Sequence, residues 1–438
     1  MSTDLPANAT TMPEGRRIWT YRARSLLRRF CWRFSDRLRA APPHGGSILP
    51  LPAVPLRVGF VVCEQAKWGL GSVLAELKAT PGVTVGFYPT LSDVSLRMKS
   101  SDRRSDFATQ VDFFAKLGPI WAELYDADTD RMLPEDVIDC DLVFIQQPWG
   151  MQDLPRRLSG RVRTAYVHYG MAVISNDRMQ FGLPDFHPWL WRYYMPTDLH
   201  AKAVFTASSF RQPDIRVTGH PKFDTYLAPP PARDMVRTWP HTLDPKRKRV
   251  IFAPHHGLEK GSLGLGTFAW SGPVMLDLAR RHSSVDFVLR PHPNMAVGLA
   301  RSGLMQAADW QTYKSQWSAL PNASVLEASP YWDLFRTSDV MITDSGSFLA
   351  EYLPTGNPLI RLEQDGAAPL NAFGQKLSGG FYRVANTAEL EAMFTQIALA
   401  ENDPLAEARS ALAALLTPLD QPAAKIITQD ILNSYVQD

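Results

Sequence analysis

Cysteine is scarce: Cys31, Cys63 and Cys140 are the full complement in 438 residues. Three widely spaced thiols exclude a disulfide scaffold and a cysteine-built zinc site, and they fit a reducing compartment. Long apolar runs are missing as well. None reaches the roughly 18 residues that read as a spanning helix, and the first residues lack the uninterrupted apolar core of a secretory signal. There is no G-x-x-x-x-G-K-[ST] phosphate loop and no G-x-S-x-G nucleophile elbow. The run Gly261–Gly266, GSLGLG, has no strand directly before it and makes a poor dinucleotide fingerprint. No self-similarity at a 20–50-residue period is present, which argues against a solenoid. What remains is ordinary for a globular chain: 45% hydrophobic residues, 21% charged and a net charge of +2.

That small net charge hides an imbalance. Residues 1–40 hold nine arginines, no lysine and three acids (Asp4, Glu14, Asp36), a local charge of +6. The rest carries 37 basic against 41 acidic side chains, or −4. At about 100° per residue, Trp19, Leu26, Leu27, Phe30, Cys31, Phe34 and Leu38 fall on one side of a helix. Arg17, Arg22, Arg24, Arg28, Arg29, Arg33 and Arg39 fall on the other, and only Arg16 and Arg37 break the division. Such a helix suits the surface of an anionic bilayer, where each basic side chain adds about 1 kcal/mol. The expected location is therefore cytoplasmic, peripheral on the inner face of the cell membrane. A solvated helix packed on the rest of the chain is the plain alternative, and an organelle-targeting or nucleic-acid-binding segment is a third; no nucleic-acid partner is expected. The chain should sediment with anionic liposomes, and removal of residues 1–40 should abolish this. Equal sedimentation of the shortened chain would dismiss the idea.

After a breaker-rich linker (Pro42, Pro43, Gly45, Gly46, Pro50, Pro52, Pro55), short apolar runs appear at βα spacing. In the first half these are 56–62, 83–88, 141–146, 163–168, 201–207 and 215–218. A second linker, 228–248, holds Pro229, Pro230, Pro231, Pro240 and Pro245. The runs then resume at 249–253, 286–289, 324–326, 340–343, 359–362 and 382–384, with helices expected between them. Runs that are apolar nearly throughout read as strands covered on both faces. The fold class is α/β, with two Rossmann-like domains facing a cleft. Expected boundaries are 1–40 for the basic amphipathic helix, 56–227 for an acceptor domain and 245–438 for a nucleotide-donor domain. Residues 422–436 are expected to form a helix docking across both.

Chemistry-bearing residues gather after strands, where open parallel sheets place ligands. Thr343-Asp344-Ser345-Gly346-Ser347 follows one run and opens a helix, an arrangement suited to phosphate or to a simple serine cap. Glu351, one turn in, is placed to reach a ribose hydroxyl. Arg290-Pro291-His292-Pro293 offers a guanidinium for phosphate oxygens and an imidazole to donate or protonate. His168, His220, His255 and the neighbouring His256 also stand at strand ends. Imidazole titrates near neutrality, so His168 is a candidate base for an acceptor hydroxyl. The pair His255-His256 lacks carboxylate or thiol partners at metal-ligand spacing, so no metal is expected. Asp126-Ala127-Asp128 sits in a polar stretch and reads as a loop.

Taken in order, five segments resemble those of the CDP-glycerol glycerophosphotransferase family of teichoic-acid and capsule polymerases, within the GT-B superfamily. Val167-His168-Tyr169-Gly170 is similar to its Trp-His-Gly, and Gly219-His220-Pro221-Lys222-Phe223-Asp224 to its Gly-x-Pro-Arg-x-Asp. Ala253-Pro254-His255-His256 stands in the place of Ala-Pro-Thr-Trp-Arg. Arg290-Pro291-His292-Pro293 resembles Arg-x-His-Pro, and residues 343–347 resemble Thr-Asp-Tyr-Ser-Ser. The likeness spans about residues 160–365. It departs at Ser345-Gly346-Ser347, which is nearer the Thr-Asp-Ser-Gly-Gly of UDP-N-acetylglucosamine 2-epimerases, and at His255-His256-Gly257.

The resemblance implies a metal-independent transferase with no cofactor. Its partners would be a nucleotide-activated donor and a glycan or polyol-phosphate acceptor, free or lipid-linked. Catalysis would fall to His168 and His292. Nucleotide and phosphate binding would fall to Arg290, Asp344, Ser345, Gly346, Ser347, Glu351, His255 and His220. A nucleotide-sugar glycosyltransferase and an epimerase are the alternatives it leaves open.

Overall fold

The computed structural model describes residues 55–207, 213–244, 246–258, 263–327, 331–416 and 421–436. The arginine-rich segment expected to be a helix lies outside them. Two six-stranded parallel sheets dominate. The first holds β1 (Leu56–Val62), β2 (Val83–Pro89), β3 (Leu142–Ile145), β4 (Arg163–Val167), β5 (Arg192–Met195) and β6 (Asp214–Val217), in the spatial order β2-β1-β3-β4-β5-β6. The second holds β7 (Lys248–Ala253), β8 (Val285–Leu289), β9 (Ala323–Val325), β10 (Val340–Thr343), β11 (Leu359–Leu362) and β12 (Tyr382–Val384), in the order β9-β8-β7-β10-β11-β12. Register is set by in-line pairs such as Val58↔Leu142 in the first sheet and Val250↔Val340 in the second.

The sequence makes buried parallel strands because apolar residues occupy both faces. Val58, Phe60 and Val62 of β1 enter one core cluster, while Val61 and Cys63 enter another on the opposite face. In β7, Val250 and Phe252 face one way and Ile251 and Ala253 the other. Cys63 and Cys140 are free thiols.

Five helices matter below: α1 (Gly71–Ala79), α2 (Asp198–Ala207), α3 (Met295–Ser302), α4 (Gly346–Glu351) and α5 (Ala423–Val436). Two expectations need correction. Residues 201–207 are not a strand but the end of α2. Its buried side chains, His200 and Val204, recur at a helical spacing of four. The missing strand is β5, whose Arg192 pairs with Asp430 at 2.9 Å and so reads as polar in sequence. The closing helix α5 does not straddle both halves. Its Ala424, Ile427 and Ile431 join the cluster of Val58, Phe60 and Val62 in the first sheet's cover. Asp224 caps it by accepting the Ala423 and Ala424 N–H groups at 2.7 and 3.0 Å. No helix among the described residues is long and apolar enough to cross a membrane.

Candidate functional site

Both sheets send the carboxyl ends of their strands toward a shared cleft of about 490 Å³. In each, the strand order reverses beside the first strand of the unit, next to β1 and next to β7, and an open α/β sheet binds ligands at such a switch point. His255 and His256 follow β7, Arg290 and His292 follow β8, and Ser345–Ser347 follow β10; all line the cleft.

Arg290 is 3% exposed. One terminal nitrogen donates to the Pro291 carbonyl at 2.7 Å, and the guanidinium sits 5.4 Å from the Tyr331 ring centre. Its Nε has no partner among the described residues. A buried donor left unpaired is costly, so this group is poised for an acceptor from outside. Ser345 heads α4 without a side-chain capping bond. Gly346 makes room for the other lobe, because a Cβ there would lie 2.8 Å from Cγ1 of Ile174.

Asp344 was expected to touch phosphate; its carboxylate oxygens are instead taken by the loops carrying His255 and Thr267. It is buried, accepting the His255 N–H at 2.5 Å, the Thr267 N–H at 2.6 Å and the Thr267 hydroxyl at 2.8 Å. Burial lifts its carboxyl to about 6. Because the folded value lies above the usual carboxylate range, the group disfavours folding at neutral pH, and that contribution is lost as pH falls below 6. Protonation also removes an acceptor from the His255 and Thr267 loops. Ligand affinity should therefore weaken below pH 6 in the native chain, and that step should vanish in Asp344→Asn. Titration of binding against pH checks both.

Glu351, the expected ribose contact, is 1% exposed with both oxygens taken. Oε1 accepts from Lys222 Nζ at 3.1 Å and Oε2 from the Tyr331 hydroxyl at 2.6 Å. It joins the lobes, since Lys222 follows the first sheet and Glu351 lies on α4. His220 is likewise internal, 2% exposed. Its Nε2 donates to the His168 carbonyl at 2.7 Å, and its Nδ1 accepts the Lys222 N–H at 3.2 Å. His168 lines the cleft, yet its Nδ1 lies 2.5 Å from the Gly170 carbonyl and its Nε2 lies 2.7 Å from Gln180. Burial lowers it to about 4. While those bonds hold, neither ring nitrogen is free to take an acceptor's proton.

The sequence reading missed most of the first lobe's wall. Glu64 and Lys67 follow β1, Asp93 and Arg97 follow β2, Trp149 follows β3 and Tyr169 follows β4. Glu64 accepts from Lys67 at 2.9 Å and from Gln147 at 2.9 Å. Trp149 meets Tyr169 edge-on at 5.5 Å. Glu64 stands two residues beyond a strand, so the strand-end rule that singled out histidines would have found it. Among the lining residues, Lys67, Arg97, Lys222, Arg290 and Arg301 outnumber Glu64, Asp93 and Glu351. The cleft is thus biased toward an anion.

No protein-family model matches the chain, and no curated protein matches its sequence. Solved structures do match in shape. The UDP-GlcNAc 2-epimerase of Neisseria meningitidis bound to UDP-GlcNAc superposes with a TM-score of 0.55 at 16% identity, over 86% of this chain and 99% of that one. The Methanocaldococcus jannaschii UDP-GlcNAc 2-epimerase, in complex with UDP-GlcNAc and UDP, gives 0.52 at 14% identity, over 86% and 99%. The chain has the GT-B fold. At these identities the likeness is one of architecture. In this GT-B cleft the second lobe supplies Arg290, Arg301 and serine hydroxyls, and the first supplies Lys67, Arg97 and Lys222 together with the carboxylates Glu64 and Asp93 and an aromatic pair.

Proposed function

We propose that the cleft takes a nucleotide-diphosphate donor on the second lobe and passes its activated group to a hydroxyl acceptor on the first. The observation that carries this reading is Arg290, a buried guanidinium with an unpartnered Nε in a cleft that Ser345 and Ser347 also line. Such a group suits the negative charge that builds on a leaving phosphate. With CDP-glycerol as donor, an acceptor oxygen bonds to the β-phosphorus. The P–O bond to the α-phosphate breaks, and CMP leaves with the electron pair. The acceptor's proton passes to a first-lobe carboxylate, Glu64 or Asp93. Arg290 and His292 hold the leaving phosphate. His168 shapes the 168–170 turn that separates the lobes.

The order of the five motifs favours the CDP-glycerol donor, with a glycan or polyol-phosphate acceptor at the membrane's inner face. A second reading, a UDP-sugar enzyme, is favoured by the Ser345-Gly346-Ser347 turn and by the nucleotide sugars named with the similar structures. A panel of CDP-, UDP-, GDP- and CMP-linked donors, incubated with membrane extract, tests both. CMP released from CDP-glycerol supports the first, and UDP released from a UDP-sugar supports the second. Release from no donor would overturn transfer altogether.

A further inference from the structure

Three imidazoles meet on the second lobe's wall. His255 and His256 come from the loop after β7, and His292 from the loop after β8. Ring centres lie 4.4 Å apart for His255 and His256, 5.2 Å for His255 and His292, and 3.9 Å for the stacked pair His256 and His292. One nitrogen from each falls within 4.8 Å of the other two. Three convergent histidines outwardly suit a transition metal.

The backbone argues otherwise. Nδ1 of His255 accepts the N–H of Gly257 at 3.0 Å, and Nδ1 of His292 accepts the N–H of Asn294 at 3.0 Å. Each ring thus spends its Nδ1 lone pair on the residue two positions ahead. A neutral imidazole has one proton, so it must sit on Nε2. A metal-ligating histidine has the reverse arrangement: one nitrogen gives its lone pair to the ion while the other donates its proton to a carbonyl or carboxylate. Freeing Nε2 of His255 or His292 for a metal would move a proton onto Nδ1, against a backbone N–H.

We infer that His255 and His292, each with its proton fixed on Nε2, form with the stacked His256 a cradle of N–H donors for a phosphoryl group, and not a metal centre. Nδ1 of His256 is buried without a partner among the described residues. The loop holding His255 and His256 is fixed on two sides. Asp344 accepts the His255 N–H, and Gly298 of α3 packs so close that a Cβ there would lie 2.2 Å from the His256 carbonyl oxygen. The charges that act on the rings are cationic: Lys67, itself paired with Glu64, acts on His256 and His292 from the first lobe, Arg301 on His256, and Arg290 on His292. Burial and this company keep the rings neutral, at about 3 for His255 and about 4 for His256. Neutral N–H donors beneath a lysine from the opposite lobe bind an anion without repelling one another. The inference rests on the cleft taking a phosphate-bearing ligand, as proposed above, but not on any nucleotide or on transfer.

Asparagine separates the two ring nitrogens' roles. Its side-chain oxygen can accept the same N–H two residues ahead, which preserves the turn, but it does not reach as far as Nε2. Calorimetry on the full chain should show pyrophosphate binding that weakens about tenfold or more in His255→Asn and in His292→Asn, the loss expected for one hydrogen bond to a charged oxygen. Zinc chloride should show no stoichiometric site that these variants remove. Histidine-selective ¹⁵N spectra at pH 7.5 should report Nε2–H tautomers for both residues. CDP and glycerol phosphate, titrated separately, tell whether the phosphoryl group is the donor's or the acceptor's, by which of the two the variants weaken. Unchanged pyrophosphate affinity, Nδ1–H tautomers, or a one-to-one zinc site lost in His255→Asn would each overturn the cradle. Failure of the donor panel alone would leave these results standing.

Discussion

Replacing Glu351 with leucine should lower folding stability by about 3–5 kcal/mol, the loss expected when one partner of a buried ion pair is removed. The magnitude follows from burial: Glu351 is 1% and Lys222 9% exposed, with 3.1 Å between their charged atoms. Without the carboxylate, Lys222 keeps a charge it can neither pair nor hydrate, and the Tyr331 hydroxyl loses its acceptor. The double change Glu351→Leu with Lys222→Met should recover most of the loss, because a well-packed apolar pair often replaces a buried salt bridge without penalty. Urea unfolding midpoints of the native chain, the two single variants and the double variant measure this. Additive losses would show that the two charges do not depend on each other.

Arg290→Ala should lower donor turnover about 100- to 1,000-fold, the range for removing one preorganised donor from a developing anion. Stability in the absence of ligand should change less than for a paired arginine, because the guanidinium's Nε is unpartnered. A second readout separates binding from folding. Donor present at 100 times its dissociation constant stabilises a folded chain by about 2.7 kcal/mol. The native chain should show that shift and Arg290→Ala should show little of it at the same concentration. Arg290→Lys should remain impaired, since an ammonium cannot reproduce a two-pronged grip. Native turnover in Arg290→Ala would remove the proposed donor site.

The strands were largely legible because most are short runs covered on both faces, the edge strand β6 being the exposed exception, and the alternation of strand and helix forces parallel sheets. β5 escaped because its first residue, Arg192, answers charges on Asp214 and Asp430 that are distant in sequence. Strand ends correctly pointed to Arg290, His292, Ser345 and Ser347 as cleft residues. Partnership was not legible. Nothing local to Glu351 reveals that Lys222, 129 positions earlier, claims its carboxylate. Nothing local to Asp344 reveals that it holds the Thr267 and His255 backbones. Periodicity reports which face is buried, whereas a side chain's polar partner depends on how distant loops meet.

The return of α5 to the first sheet has a mechanical consequence. The chain passes between the lobes twice, once from β6 to β7 and again ahead of α5, whose Asp430 is tied to Arg192 and to the Tyr194 hydroxyl. A protease cutting either connection alone would therefore leave the two halves covalently joined through the other.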